Sequence, residues 1–206
     1  MAEQETSTYE ELPPNPETAT LDGRNKYLGF WFFVGGETVL FGSLLGTYLG
    51  LRDGTAEGPG PTDLFHLDLV FIMTMILITS SLTSVMAIIN MKRGNHKKLL
   101  GWMWGTVLLG TAFLGFEIYE FFDYYHQGLG FGTSAFASSF YTLVGTHGAH
   151  VLFGIIWISI LLLRYRKTGI TLTNAPKFNT AVLYWHFIDV VWVFIFTVVY
   201  LLGIGG

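Results

Sequence analysis

Long apolar runs alternate with short polar interruptions along this chain. A membrane-crossing helix needs about 20 mostly apolar residues, and five runs meet that length, at about 27–51, 67–91, 99–122, 137–163 and 180–203. The interruptions differ in character: 52–61 is rich in Gly, Pro and acid, 92–98 is short and basic, 127–132 is glycine-rich, and 164–177 is basic. The pattern predicts an all-α, integral membrane bundle of five transmembrane helices over residues 26–206. A polar tail over 1–25 precedes it, and Pro13, Pro14 and Pro16 make that tail mobile or extended. Nothing suggests a water-soluble domain or an internal repeat.

Composition supports the bilayer as solvent. Only 13% of the residues are charged and 51% are hydrophobic, whereas a soluble domain is about 25% charged. Aromatics reach 17%, and many of the 25 glycines fall within the apolar runs, as in helices that pack closely inside a membrane. Cysteine is absent, which removes a disulfide framework and thiolate metal sites. The tail holds Glu3, Glu5, Glu10, Glu11, Glu17 and Asp22 and lacks the apolar segment of a secretory signal. No basic patch interleaves with aromatics, so nucleic acid is not an expected partner.

Charge asymmetry gives an expected orientation. With the N-terminus in the cytoplasm, the tail, the second-to-third loop and the fourth-to-fifth loop are inside. They hold ten of the eleven cations, leaving only Arg52 outside. Positively charged loops stay inside, so the expected topology is N-in, C-out.

Gly42, Gly46 and Gly50 repeat every four residues on the first helix, and Gly101 and Gly105 on the third. This small-xxx-small spacing marks a helix-packing surface. The polar residues inside the runs are harder to place. A carboxylate at the bilayer centre costs about 2.5–3.5 kcal/mol on insertion scales. At about 1.5 Å per residue, Glu37 and Asp189 fall near the midplane. His147, His150 and His186 fall in the middle third, and Glu117 and Glu120 in the outer third. The pairs Glu117/Glu120, His147/His150 and His186/Asp189 are each three residues apart, so each shares a helix face. Glu37 lies nine residues from Gly46, half a turn out of phase, so it faces away from the glycine ridge. Phe33, Val34, Leu40 and Phe41 give Glu37 no polar neighbour on its own helix, and a desolvated carboxyl in such a setting is expected to keep its proton. These residues admit three readings: hydrogen bonds that hold the helices together, contact with a polar ligand or lipid headgroup, and a proton or ion path. Metal ligation by His147, His150 and His186 is weaker, because neither Cys nor an HExxH motif supports it.

Four segments carry a family resemblance. They are LGFWFFVGGETVLFGSLLGTYL around Glu37, FLGFEIYEFFDYY around Glu117 and Glu120, SSFYTLVGTHGAHVLFGIIW around His147 and His150, and YWHFIDVVWVFIFTVVYLLG around Trp185, His186 and Asp189. In this order they resemble subunit III of the haem-copper respiratory oxidases, in the short five-helix bacterial form. The resemblance implies a non-catalytic subunit of a proton-pumping terminal oxidase in the bacterial plasma membrane. That complex passes electrons from cytochrome c, or menaquinol, to oxygen. It implies haems and copper in partner subunits and none in this chain. Subunit I is the implied main contact, subunit II and a small subunit IV are further partners, and phospholipid is bound. Glu37 matches the family's carbodiimide-reactive glutamate. Glu117, Glu120, His147, His150, Trp185, His186 and Asp189 become interhelix or lipid-contact residues. Asp189 is expected to pair across helices, so its loss is expected to harm assembly more than loss of the Glu37 charge. Two rivals make different predictions. A stand-alone transporter using Glu37, His150 and Asp189 would move protons or a small solute by itself, and a membrane metalloenzyme would hold stoichiometric metal.

Overall fold

A computed structural model describes residues 13–56, 60 and 67–205. The expected tail residues 1–12, and residues 57–59 and 61 of the loop expected at 52–61, lie outside the described residues. Five helices long and apolar enough to cross a membrane are present. They are α1 (Leu21–Leu51), α2 (Leu67–Lys92), α3 (His96–His126), α4 (Ala135–Tyr165) and α5 (Ala175–Ile195). A π-helical segment, Phe196–Leu201, and a short helix α6, Leu202–Gly205, continue α5. Among the described residues there is no strand.

Most helix ends lie a few residues beyond the apolar runs, because polar caps extend them. Thr20 Oγ1 accepts from the Gly23 amide at 3.0 Å, and Asp22 sits in the first turn, where the helix dipole favours an acid. Ser134 caps α4 in the same way through the Ala137 amide at 3.0 Å. Pro176 occupies the first turn of α5, where its missing N–H costs nothing. The α2–α3 turn is tight: Gly94 takes φ +70°, a left-handed conformation that suits glycine, and Asn95 then caps α3.

Helices α2, α3, α4 and α5 pack in a closed ring, each against the next and α5 back against α2. α1 lies outside the ring, against α4 and α5. Its buried residues Gly23, Phe30, Phe41 and Tyr48 form one narrow stripe, with a spacing near the seven-residue repeat of a helix seam. Glu37 lies on that stripe, four residues before Phe41.

Trp185 occupies the middle of the ring. It is 1% exposed, and its indole N–H donates to Ser80 Oγ on α2 at 2.9 Å. The ring passes so close to Gly110 on α3 that a β-carbon there would overlap it, and one at Gly154 on α4 would meet it at 3.1 Å. One side chain thus touches three other helices, overlapping any β-carbon at Gly110 and leaving only tight room for one at Gly154. Seven residues on, Trp192 repeats the arrangement with an indole N–H to Thr74 Oγ1 at 3.0 Å. Thr83 and Thr106 tie α2 to α3 at 2.8 Å.

The visible part of the tail docks on the bundle. Lys92 Nζ, at the end of α2, donates to Glu17 Oε1 and to Asn15 Oδ1, each at 3.0 Å. Glu17 is buried, and its carbonyl and Pro176 press against Gly23. The tail's cluster of prolines therefore does not keep residues 13–20 away from the bundle, because Lys92 supplies a charge partner at the end of α2.

The fifth apolar run is not one uninterrupted α-helix, as the sequence predicts. The wider π turn at Phe196–Leu201 keeps Tyr200 on the buried side, with ring centroids 6.2 Å from Trp192. Such turns often sit where a side chain needs a special register.

Candidate functional site

The buried polar residues do not converge on one centre. They form four neighbourhoods. In the first, α1 brings Glu37 to His150 on α4, with Nε2 and Oε2 3.1 Å apart. Both side chains are mostly covered, 17% and 21% exposed. The other imidazole nitrogen, Nδ1, lies 2.7 Å from the Thr146 carbonyl. A carbonyl only accepts, so Nδ1 carries a proton. The Glu37–His150 contact therefore holds a single shared proton, either on the carboxyl or on Nε2, and the pair is neutral overall in both states. Phe41 lies edge-on to His150 at 5.0 Å, and Tyr184 on α5 donates to the His150 carbonyl at 3.0 Å. The partner that Glu37 lacks on its own helix comes from α4.

The second neighbourhood belongs to Glu120. Its two oxygens accept from Tyr124 at 2.7 Å and from Tyr200 at 2.9 Å. The π turn that positions Tyr200 thus closes a bond between the end of α5 and α3. Glu117, one turn earlier, is buried against Gly148 of α4, where a β-carbon would fall inside its carboxyl group. Its Oε2 has no hydrogen-bond partner.

The third is His147, fully buried, with neither ring nitrogen bonded. Its ring packs among Phe41, Phe113 and Trp192, at centroid distances of 6.5, 5.9 and 5.2 Å. The expected interhelix hydrogen bond is absent here, and the imidazole acts as an aromatic filler.

The fourth lies between α2 and α5. His186 Nε2 is 3.2 Å from Ser84 Oγ. Ser84 gives its proton to the Ser81 carbonyl at 2.7 Å, so His186 is the donor. Asp189 corrects the expectation of a cross-helix pair, since neither oxygen has a hydrogen-bond partner. The ring-facing positions of α5 are taken by Trp185, Ile188 and Trp192, which leaves Asp189 on the flank.

The glycine ridge also differs from expectation. Gly42, Gly46 and Gly50 are exposed, and nothing lies within 4 Å of where their β-carbons would be. Among the described residues the ridge packs against no other helix. Glu37 and the ridge do face opposite sides of α1, as their phase predicts.

The sequence profile of cytochrome c oxidase subunit III matches residues 24–204. The chain belongs to this family. The cytochrome c oxidase subunit 3 of Alkalihalophilus pseudofirmus is 68% identical over 200 residues, covering 97% of each chain. That of Bacillus subtilis is 58% identical over 207 residues, covering 100% of each. The quinol oxidase subunit 3 of Bacillus subtilis is 49% identical over 184 residues, covering 89% of this chain and 90% of the relative. The chain is thus an accessory, multi-pass subunit of a bacterial terminal oxidase, not a stand-alone transporter. The geometry agrees: Glu37, His150 and Asp189 do not line one path, because Asp189 opens on the other side of α5 from the Glu37 pair. The three histidines are also dispersed, and among the described residues no group of three or more His, Cys, Asp or Glu is placed to hold a metal ion.

Sequence reasoning about this subunit III chain missed Gly110, Gly148 and Gly154 as close-approach positions, and Tyr124 and Tyr200 as carboxylate donors. Tyr124 had a signal, four residues after Glu120 on the same face. Gly110 had none, because its partner Trp185 is 75 positions away.

Proposed function

We propose that this subunit III holds anionic phospholipid beside the catalytic core of a cytochrome c-oxidising, proton-pumping oxidase, and so sustains proton uptake through repeated turnover. The observation that carries this reading is a cleft of about 410 Å³ between α1, α4 and α5. Its wall is almost wholly apolar, with Phe30, Phe33, Phe153 and Trp157, while Lys26 and Lys177 contribute cationic side chains. Lys177 Nζ also donates to Tyr165 OH at 2.6 Å. Basic groups at the end of an apolar groove suit a lipid phosphate with its acyl chains along the helices. Phe33 and Tyr184 line the cleft, and both sit beside the Glu37–His150 pair: Phe33 one turn before Glu37, Tyr184 bonded to His150. Lipid chains in the cleft would pass next to that pair and keep it dry. This supports a role for Glu37 at the lipid contact and for the carbodiimide reactivity that the family resemblance implies.

In this reading the tail, Lys26 and Lys177 face the cytoplasm. Subunit I is the main contact, with subunit II and a small subunit IV beyond it. Cytochrome c is the favoured electron donor, supported by the higher identity to relatives named for cytochrome c oxidase than to those named for quinol oxidase.

The test pairs lipid analysis with turnover. Oxidase carrying Lys26→Ala and Lys177→Ala together is expected to purify with less anionic phospholipid than wild type and to lose activity faster during continuous turnover. Unchanged lipid content and an unchanged inactivation rate would contradict the proposal.

A further inference from the structure

Glu17 sits where three helix ends meet. Its carbonyl oxygen lies so close to Gly23, in the first turn of α1, that a β-carbon there would overlap it. Pro176, in the first turn of α5, would stand 3.2 Å from the same β-carbon. The Glu17 side chain turns to the end of α2, where Lys92 Nζ binds its Oε1 and the Asn15 Oδ1, each at 3.0 Å. Pro16 and Glu17 are both buried. Residues 13–20 thus form a strap from α2 to α1 across the start of α5. This strap stands at one end of the phospholipid cleft. Lys26 lies three residues beyond Gly23, on the same face of α1, and Lys177 directly follows Pro176; both line the cleft. The junction of Glu17, Gly23 and Pro176 therefore sets how far apart the two helix starts that carry these lysines stand. Farther along, the Glu37–His150 contact joins α1 to α4 at 3.1 Å. The two ties differ in setting. The Lys92 side chain is 39% exposed and engages one carboxylate oxygen, while the other Glu17 oxygen has no hydrogen-bond partner among the described residues. Water and salt compete for such a pair, so it holds weakly. The Glu37–His150 pair lies at membrane depth, where neither competes. The strap end of α1 is the end that releases first.

We propose that the Glu17–Lys92 contact is a latch on the cleft. Closed, it holds Lys26 and Lys177 together on one anionic phospholipid. Released, it lets the start of α1 pivot away from α5 about the Glu37–His150 contact, and the lipid leaves. The proposal rests on the phospholipid reading of the cleft and deepens it by naming the element that controls lipid exchange. Glu17 and Lys92 act as positioning residues, since neither lines the cleft itself.

The test follows lipid release from the intact oxidase complex in mild detergent. The complex is loaded with deuterated phosphatidylglycerol and diluted into unlabelled phosphatidylcholine, and the retained label is counted by mass spectrometry. The fraction that Lys26→Ala with Lys177→Ala abolishes is the cleft lipid. Glu17→Gln and Lys92→Met are each expected to speed its release about three-fold. The two together are expected to do no more than either alone, because they break the same contact. Asn15→Cys with Lys92→Cys, in a chain with no other cysteine, allows the strap to be fastened by a reducible thiol crosslinker. The fastened complex is expected to release lipid no faster than wild type, and reduction of the crosslinker to bring on the fast release. A contact that only stabilised the fold would not switch release within one and the same protein. Unchanged release in both Glu17→Gln and Lys92→Met, or equal release before and after reduction, would overturn the latch and leave the phospholipid reading standing. Absence of any lysine-dependent fraction in the complex with an unaltered strap would overturn the phospholipid reading and the latch with it.

Discussion

Gly110→Ala is expected to destabilise the bundle more than a methyl added at Gly115 or Gly154. The new β-carbon would overlap the six-membered ring of Trp185. That ring cannot retreat, because Gly154 backs it on α4 and Ser80 holds its N–H. Overpacking of this kind costs about 1–3 kcal/mol. It reads as a clear drop in the thermal midpoint of the detergent-solubilised complex. Gly115→Ala, on the same helix with nothing within 4 Å, is the matched control and is expected to be nearly neutral. Gly154→Ala falls between them, since its nearest ring atom is 3.1 Å away. Trp185→Phe removes the ring that causes the clash, so adding it to Gly110→Ala is expected to recover part of the loss. A full, undiminished sum of the two single effects would mean that Trp185 is not what Gly110 accommodates.

Disrupting the Glu37–His150 contact is expected to depend on which partner is changed and how. His150→Leu strands the Glu37 carboxyl against apolar neighbours, and an unsatisfied buried polar group costs about 1–3 kcal/mol. Glu37→Gln is expected to be mild. With Nδ1–H already donated to Thr146, neutral His150 presents a bare Nε2, which a glutamine amide can satisfy. The double variant Glu37→Leu with His150→Leu removes both polar groups and is expected to cost less than the sum of its singles. The coupling falls in the range of measured membrane hydrogen bonds, about 0.6–1.7 kcal/mol. Thermal denaturation of the four proteins gives it directly, and strict additivity would contradict the pairing. Glu37 has its interhelix partner in His150, while among the described residues neither Asp189 oxygen has a hydrogen bond of ordinary geometry, so Asp189→Ala breaks no such bond between these helices.

The parts of this fold that depend on local pattern were legible in the sequence. The five spans, their loops and the opposite facing of Glu37 and the Gly42–Gly46–Gly50 ridge follow from hydrophobic run length and helical phase. The ends were less legible, because Thr20 and Ser134 extend helices through polar residues that a hydropathy argument assigns to loops. Contacts between helices were least legible. Spacing shows that His147 and His150 share a face, but not that one meets Glu37 while the other fills an aromatic cage. Likewise it shows that Glu117 and Glu120 are neighbours, but Tyr200 reaches Glu120 only because a π turn intervenes. Glycine spacing was misleading for a physical reason. A regular ridge marks where a helix can approach closely. Three glycines that admit close approach between helices, Gly110, Gly148 and Gly154, stand opposite bulky or charged side chains from distant parts of the sequence.

The central claim is that this chain is an accessory subunit whose chemistry resides in its partners. The most direct measurement is affinity purification of the tagged chain from its own membranes in mild detergent, followed by a reduced-minus-oxidised spectrum, metal analysis and subunit identification. The account predicts that haem-copper subunits accompany the chain, and that the haem and copper remain with them when this subunit is separated. A chain that purifies alone, or that keeps haem or metal of its own after separation, would contradict it.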